Sequence, residues 1–306
     1  MFHVKQRGDD VTRICDYENS RYRYEFWESA DRRYEDLCER IAIRALLPPS
    51  GDTLLDIGAG YGRLAPLYAG YRQVVLLDYA RSQLEEARRY LSDLDRYALV
   101  VADVYRLPFV ENRFDAVTMV RVMHHLADVP TALAEVHRVT APGGVAVIEH
   151  ANKRNWKSVA RWLLRRQSWN PFDHAPVEFV EMNFDFHPAW VKEQLRRAGF
   201  AIETARSLSH FRSATLKRIL PPHWLARLDG LAQPSGRWCQ LTPSVIVRAK
   251  PTKADTPQPD GFFRCPQCLN DQLNRRDDGM ACPHCQCLWS YDGGIYDFRT
   301  PRPLPG

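Results

Sequence analysis

Two stretches of the chain carry residues whose types and spacing could do chemistry. The first is LLDIGAGYGRLAPLYAG, residues 54–70, where an apolar run ends in Asp56 and breaks into glycines at 58, 60 and 62. A strand that buries Leu54, Leu55 and Ile57 and then turns through Gly58 and Gly60 brings bare backbone N–H groups to a nucleotide-sized ligand. The second is CPQC, thirteen residues, then CPHC, pairing Cys265 with Cys268 and Cys282 with Cys285. Each pair supplies two thiolates from a tight turn, and two pairs together make the closed four-thiolate site that structural zinc prefers. In so short a module the metal would stand in for a core too small to be stable alone.

The elements that must position these groups can be read from the hydrophobic pattern. From residue 53 short apolar runs alternate with helix-like segments, which predicts a parallel sheet wound with helices. The strands are TLLDIG, QVVLLDYA, ALVVAD, FDAVTMVRV, VAVIEH and AIETARSL, with TPSVIVRAK (242–250) as an antiparallel strand at the sheet edge. The fold class is therefore α/β: a Rossmann-like, doubly wound seven-stranded sheet with a small C-terminal zinc ribbon. Residues 16–47 read as one or two helices stopped by Pro48 and Pro49, and LAPLYAGY as the helix after the first strand.

In such a sheet the ligand lies beyond the carboxyl ends of the strands. Asp78 ends the second strand, 22 residues after Asp56, where a carboxylate can accept both hydroxyls of a ribose. Asp103 ends the third, within reach of an adenine amino group. Either could instead cap a helix. A dinucleotide fingerprint wants a small residue at the sixth position of the glycine loop, where this chain has Arg63. That disfavours an NAD enzyme and favours S-adenosylmethionine.

LLDIGAGYGRL, VVLLDYA, VVADVYRLPF, FDAVTMVRVMHHL and LAEVHRVTAPGGVAVIE, in this order, resemble the class I S-adenosylmethionine-dependent methyltransferases over roughly residues 50–250. The resemblance implies that Asp56, Gly58, Gly60 and Tyr61 wrap the methionine part of the cofactor. It implies Asp78 on the ribose, Asp103 and Val104 beside the adenine, and Arg121 along the cofactor, although relatives often carry a smaller residue there. CPHCQCLWSYDGGIYDF is similar to the small zinc-ribbon proteins that activate tRNA and protein methyltransferases as separate subunits, here fused in cis.

The sulfonium methyl of such a cofactor is already activated, so alignment matters more than a fixed catalytic triad. A base is needed only if the acceptor must lose a proton, and the candidates are His125, Glu149 and His150. Tyr22, Tyr24, Phe26 and Trp27 could close the pocket from the N-terminal side. Residues 153–166, KRNWKSVARWLLRR, carry six basic residues and no acid, with tryptophans interleaved at helical spacing. They read as a lid over the active site, as a contact for an anionic membrane surface, or as a contact for RNA. The zinc ribbon could also recruit a protein partner.

The 306 residues suffice for one large unit and a small one: an N-terminal helical lid (1–50), a cofactor-binding unit (51–250), a proline-rich linker (251–260) and the ribbon (261–306). A net charge of +5 permits an anionic partner without requiring one. The absence of a long apolar run or leader-like start, with clustered cysteines, points to the cytoplasm. The expected activity is methyl transfer to an N, O or C acceptor, with a small molecule or lipid-like precursor ahead of a tRNA or rRNA base. A non-catalytic, cofactor-binding adaptor is the alternative of a different class.

Overall fold

The computed structural model describes residues 2–6, 13–28, 32–256 and 258–304. β1 (His3–Gln6) and β2 (Arg13–Asp16) form an antiparallel pair, followed by a π turn over Arg23–Glu28 and α1 (Arg33–Leu46). Next come β3 (Gly51–Ile57), β4 (Tyr71–Asp78), α2 (Arg81–Tyr90), β5 (Tyr97–Val101), β6 (Phe114–Met119), α3 (Val129–Val139) and β7 (Thr140–Ala151). α4 (Trp156–Leu163), a small hairpin of β8 (Val177–Val180) and β9 (Asn183–Asp185), α5 (Pro188–Arg197) and β10 (Phe200–Leu208) continue the chain. α6 (Ala214–Ile219), α7 (Pro222–Ala232) and β11 (Ser244–Pro251) follow. The final strands are β12 (Asn274–Arg276), β13 (Gly279–Cys282), β14 (Cys287–Asp292) and β15 (Ile295–Pro303).

The strand order β10-β11-β7-β6-β3-β4-β5 contains the seven expected strands. β3 to β7 are parallel and nearly continuous in apolar residues, as strands covered on both faces must be. The antiparallel strand β11 lies one place inside the edge, between β7 and β10, rather than at the edge itself. Its consecutive Val245, Ile246 and Val247 are all buried, which requires neighbours on both sides.

The N-terminal stretch also differs from a purely helical lid. α1 stops at Leu46 as the prolines require, but a β-hairpin precedes it, with Ile14 and Asp16 buried on one side of β2 and Lys5 ion-paired to Asp16. Residues 1, 7–12 and 29–31 of that stretch lie outside the described residues. LAPLYAGY forms only a 3₁₀ turn over Ala65–Tyr68, because the chain turns at Gly70, packed against the Pro49 carbonyl, straight into β4. Among the described residues no helix is long and apolar enough to cross a membrane.

The C-terminal strands do not stand apart. β15 runs parallel to β5, with Ile295 opposite Leu99 and Asp297 opposite Val101, so the sheet extends unbroken to eleven strands. Phe262 and Phe263 pack on Phe109 and Phe114 at ring separations of 5.8–6.0 Å. The preceding polar stretch is fastened as well, since Lys253 Nζ donates to Asn112 Oδ1 at 2.7 Å and to the Arg138 and Thr140 carbonyls at 2.9 Å. A chain cut after Asp260 would leave β5 as an open edge beside exposed aromatic rings, a template for self-association. Light scattering during size exclusion should show the cut chain associating and melting below the full chain; a monodisperse truncation of equal stability would contradict this account.

Candidate active site

The carboxyl ends of β3, β4, β5 and β6 open into one pocket, lined by the glycine loop, Asp78, Asp103 and Val104, and by Val120–Val122. Gly58, Gly60 and Gly62 adopt φ of +70°, +54° and +77°. A Cβ on Gly58 would lie 2.1 Å from Val122 Cγ2, whereas one on Gly60 would meet nothing within 4 Å. Gly58 therefore lets two strand ends approach, and Gly60 keeps the backbone bare toward the pocket.

Asp78 organises this loop. Its Oδ2 accepts the Gly60 N–H and its Oδ1 the Ala80 N–H, both at 2.9 Å, so the residue caps the turn and faces the pocket at once. Burial pushes its carboxyl up to about 6. Asp56 sits deeper, accepting from Thr118 Oγ1 at 2.7 Å, and burial pushes it up to about 7. Asp103 caps the short turn after β5 by accepting the Tyr105 N–H at 2.9 Å. Among the described residues, two buried polar atoms on pocket-lining residues have no protein partner: Gln83 Oε1, an acceptor, and Arg121 Nε, a donor. A bound polar ligand would satisfy both.

Arg63 and Arg121 share a buried network. Arg63 pairs with Asp36 and with Glu39, the latter at 2.5 Å, and its guanidinium lies 3.7 Å from the Trp27 ring centroid. Arg121, at φ +61°, reaches Glu39 at 3.4 Å while its backbone N–H donates to Glu149 Oε2 at 2.8 Å. Glu149 also accepts from Ser244 Oγ and does not line the pocket, so it supports the Arg121 turn instead of facing a ligand.

Of the three candidate bases only His125 lines the pocket. His125 Nδ1 lies 2.8 Å from the Met182 carbonyl, which can only accept, so Nδ1 carries the proton and Nε2 accepts from the Tyr17 hydroxyl at 3.0 Å. Burial pushes the imidazole down to about 4, keeping it neutral. His150 follows Glu149 on β7 and so points to the opposite face, into a separate cavity with Arg154 and Trp238. The aromatic N-terminal residues do close the pocket in part: Tyr22 and Trp27 line it, Phe26 stacks on Tyr22 at 5.2 Å, and Tyr24 is half exposed. Ile14, Cys15, Tyr17 and Gln83 also line it, and sequence reading missed them; the alternation of RICD was the one available signal.

The four cysteines converge. Cys265, Cys268, Cys282 and Cys285 place their sulfurs within 4.8 Å of one another, with separations of 3.4–3.5 Å across three of the pairs. A tetrahedral metal with arms of about 2.3 Å would have edges of about 3.8 Å, so the set fits one ion with little adjustment. None of the eight cysteines is in a disulfide. β15 also touches the pocket wall: Arg299 Nη1 donates to the Tyr79 carbonyl at 3.1 Å, next to Asp78, and lies 3.6 Å from Glu18.

The glycine geometry separates two variants. Gly58→Ala should lose the roughly 1–2 kcal/mol of left-handed strain plus about 1–3 kcal/mol of overpacking against Val122, whereas Gly60→Ala should lose only the strain. Urea unfolding of both checks this, and equal losses would contradict the assigned contacts.

Comparison with known proteins agrees with this geometry. A family model described as a methyltransferase domain matches residues 55–148. The chain is 32% identical over 183 residues to a demethylmenaquinone methyltransferase of Clavibacter sepedonicus, covering 54% of this chain and 72% of that protein. It is also 32% identical over 136 residues to a 2-phytyl-1,4-naphtoquinone methyltransferase of Nostoc, covering 41% of this chain and 59% of the relative. A similar fold occurs in a chain of the complex between the Haloferax volcanii Trm112 methyltransferase activator and a methyltransferase, at 20% identity and a TM-score of 0.50, covering 73% of this chain and 92% of that one. The glycine loop, the acids that end the strands and the relative matched over most of its length place the chain in the S-adenosylmethionine-dependent methyltransferase family.

Proposed function

We propose that the protein methylates a small, apolar aromatic acceptor of the quinone type. The observation that carries this reading is the pocket's lining: Tyr17, Tyr22, Trp27 and Ile14 share the pocket with the glycine loop and Asp78. Such a surface suits a flat ring. Relatives that act on demethylmenaquinone and on 2-phytyl-1,4-naphtoquinone support the same chemistry.

S-adenosylmethionine supplies a methyl group already activated on its sulfonium sulfur. The chain's own residues then bind and align. Asp78 keeps lone pairs for ribose hydroxyls while holding the loop, and Asp103 with Val104 would border the adenine end. The glycines, Tyr61 and Asp56 would hold the methionine end, and Arg121 Nε, which has no partner among the described residues, would suit its carboxylate. Gln83 Oε1 would accept a further donor from the bound cofactor. Holding acceptor and methyl in line can supply about 7–11 kcal/mol of the barrier. Where the acceptor must lose a proton, the Tyr17 hydroxyl and the His125 Nε2 behind it are placed to receive it.

We assign zinc to the four thiolates, as the metal whose closed sites favour that donor set. The ribbon then works as a built-in brace for the cofactor pocket through Arg299 and Tyr79, a reading supported by its likeness to separate activator subunits. Free thiols throughout the chain suit a cytoplasmic, reducing setting.

Labelled methyl should pass from S-adenosylmethionine to a demethylated naphthoquinol in solvent extracts, and label found only in RNA would overturn this reading. Because burial holds Asp78 near pH 6 and Asp56 near 7, cofactor affinity should rise between about pH 6 and 7 and level off above, and Asp78→Asn should remove the lower part of that rise. At saturating cofactor, turnover should show no limb near pH 6.5 from His125, which stays neutral down to about 4. Stripping the metal with a chelator should weaken cofactor binding several-fold, and unchanged affinity in the stripped protein would separate the ribbon from the pocket.

A further inference from the structure

Two stretches, 153–172 and 204–228, contain no aspartate or glutamate at all. The fold brings them together where Lys157 Nζ donates to the Arg212 carbonyl at 2.8 Å. α4 does not cover the active site, since none of its residues lines the pocket. Its one buried residue is Ser158, and while Val159 and Trp162 are half-buried, Trp156 is 53% exposed, Leu163 66% and Leu164, just after the helix, 64%. Ile219, at the end of α6, is 69% exposed. Lys153 is buried and spent on the Asp173 and Ala175 carbonyls, so it anchors the segment. Arg165 and Arg166 follow Leu163 and Leu164 directly as exposed cations, Arg218 precedes Ile219 on α6, and Arg161 is held by Ser158 and Gln167.

Large apolar side chains interleaved with cations match an anionic bilayer interface, where the hydrocarbon enters the acyl boundary and the guanidinium groups meet headgroup phosphates. A nucleic acid would use the charges but leave Leu163, Leu164 and Ile219 in water. The same segment also leads to the active site. Downstream of α4, Phe179 and Val180 stand exposed on the β8–β9 hairpin, and Met182 in its turn holds His125 Nδ1.

We propose that the face made by α4, its C-terminal turn and the end of α6 docks on an anionic phospholipid surface. Docking places the pocket beside the bilayer, where an apolar acceptor would dissolve. It deepens the quinone-type reading and rests on it only for its purpose, because the binding itself follows from the surface.

The test is flotation of the metal-loaded full chain with phosphatidylcholine vesicles, with and without phosphatidylglycerol, at low and high salt. Binding should require phosphatidylglycerol and weaken with salt. At about fivefold per basic residue, Arg165→Glu with Arg166→Glu should lower partitioning by tenfold or more. Leu163→Asp with Leu164→Asp should also release the protein, while S-adenosylmethionine affinity stays unchanged as the check on folding. Equal binding to neutral vesicles, wild-type binding by both variants, or retention on RNA without vesicle binding would each overturn the docking. Vesicle binding without quinol methylation would uphold the docking and remove the quinone-type reading alone.

Discussion

The site depends on one half-buried carboxylate at the end of β4. Asp78 holds the Gly60 N–H with one oxygen and the Ala80 N–H with the other, tying the loop after β3 to the start of α2. Taking a carboxylate out of water is costly unless hydrogen bonds replace the lost solvent, and here they do so only in part, hence the raised pKa. A group held in this way is preorganised: it fixes a backbone in the left-handed region at Gly60 and still has lone pairs to offer a ligand. Capping and cofactor binding, which compete as readings of a strand-end acid, are thus compatible in the same side chain.

The elements around it converge on the same corner. Glu18 accepts the Arg81 and Ser82 N–H groups at the start of α2, and Arg299 from β15 approaches Glu18 while gripping the Tyr79 carbonyl. Arg81 in turn reaches Asp292 at the end of β14. Three distant parts of the chain, the N-terminal segment, α2 and the cysteine module, therefore brace one strand end. On the other side Arg63 and Arg121 tie α1 to the loops after β3 and β6 through Glu39. The arginine that argued against a dinucleotide works structurally as a link to α1 and Trp27.

Legibility in the sequence followed period and local chemistry. The parallel strands showed because apolar runs such as VVLL cannot be solvated on either face, and the cysteine pairs because tight C-x2-C turns have few other uses. What depended on partners distant in sequence did not show. The inner position of β11 follows from pairing on both sides, the addition of β15 to β5 from register, and the Tyr17 to His125 contact from a hairpin whose two strands have only four residues each. The choice among His125, Glu149 and His150 was likewise closed to sequence, since the alternation of β7 sends the last two to opposite faces.

The most direct test of the account is calorimetric titration of the metal-loaded protein with S-adenosylmethionine and, in parallel, with NAD. The account predicts one tight site for the first and no heat for the second. Binding of NAD, or of neither ligand by a folded sample, would contradict the assignment of this glycine loop and Asp78 to a methyl-donor pocket.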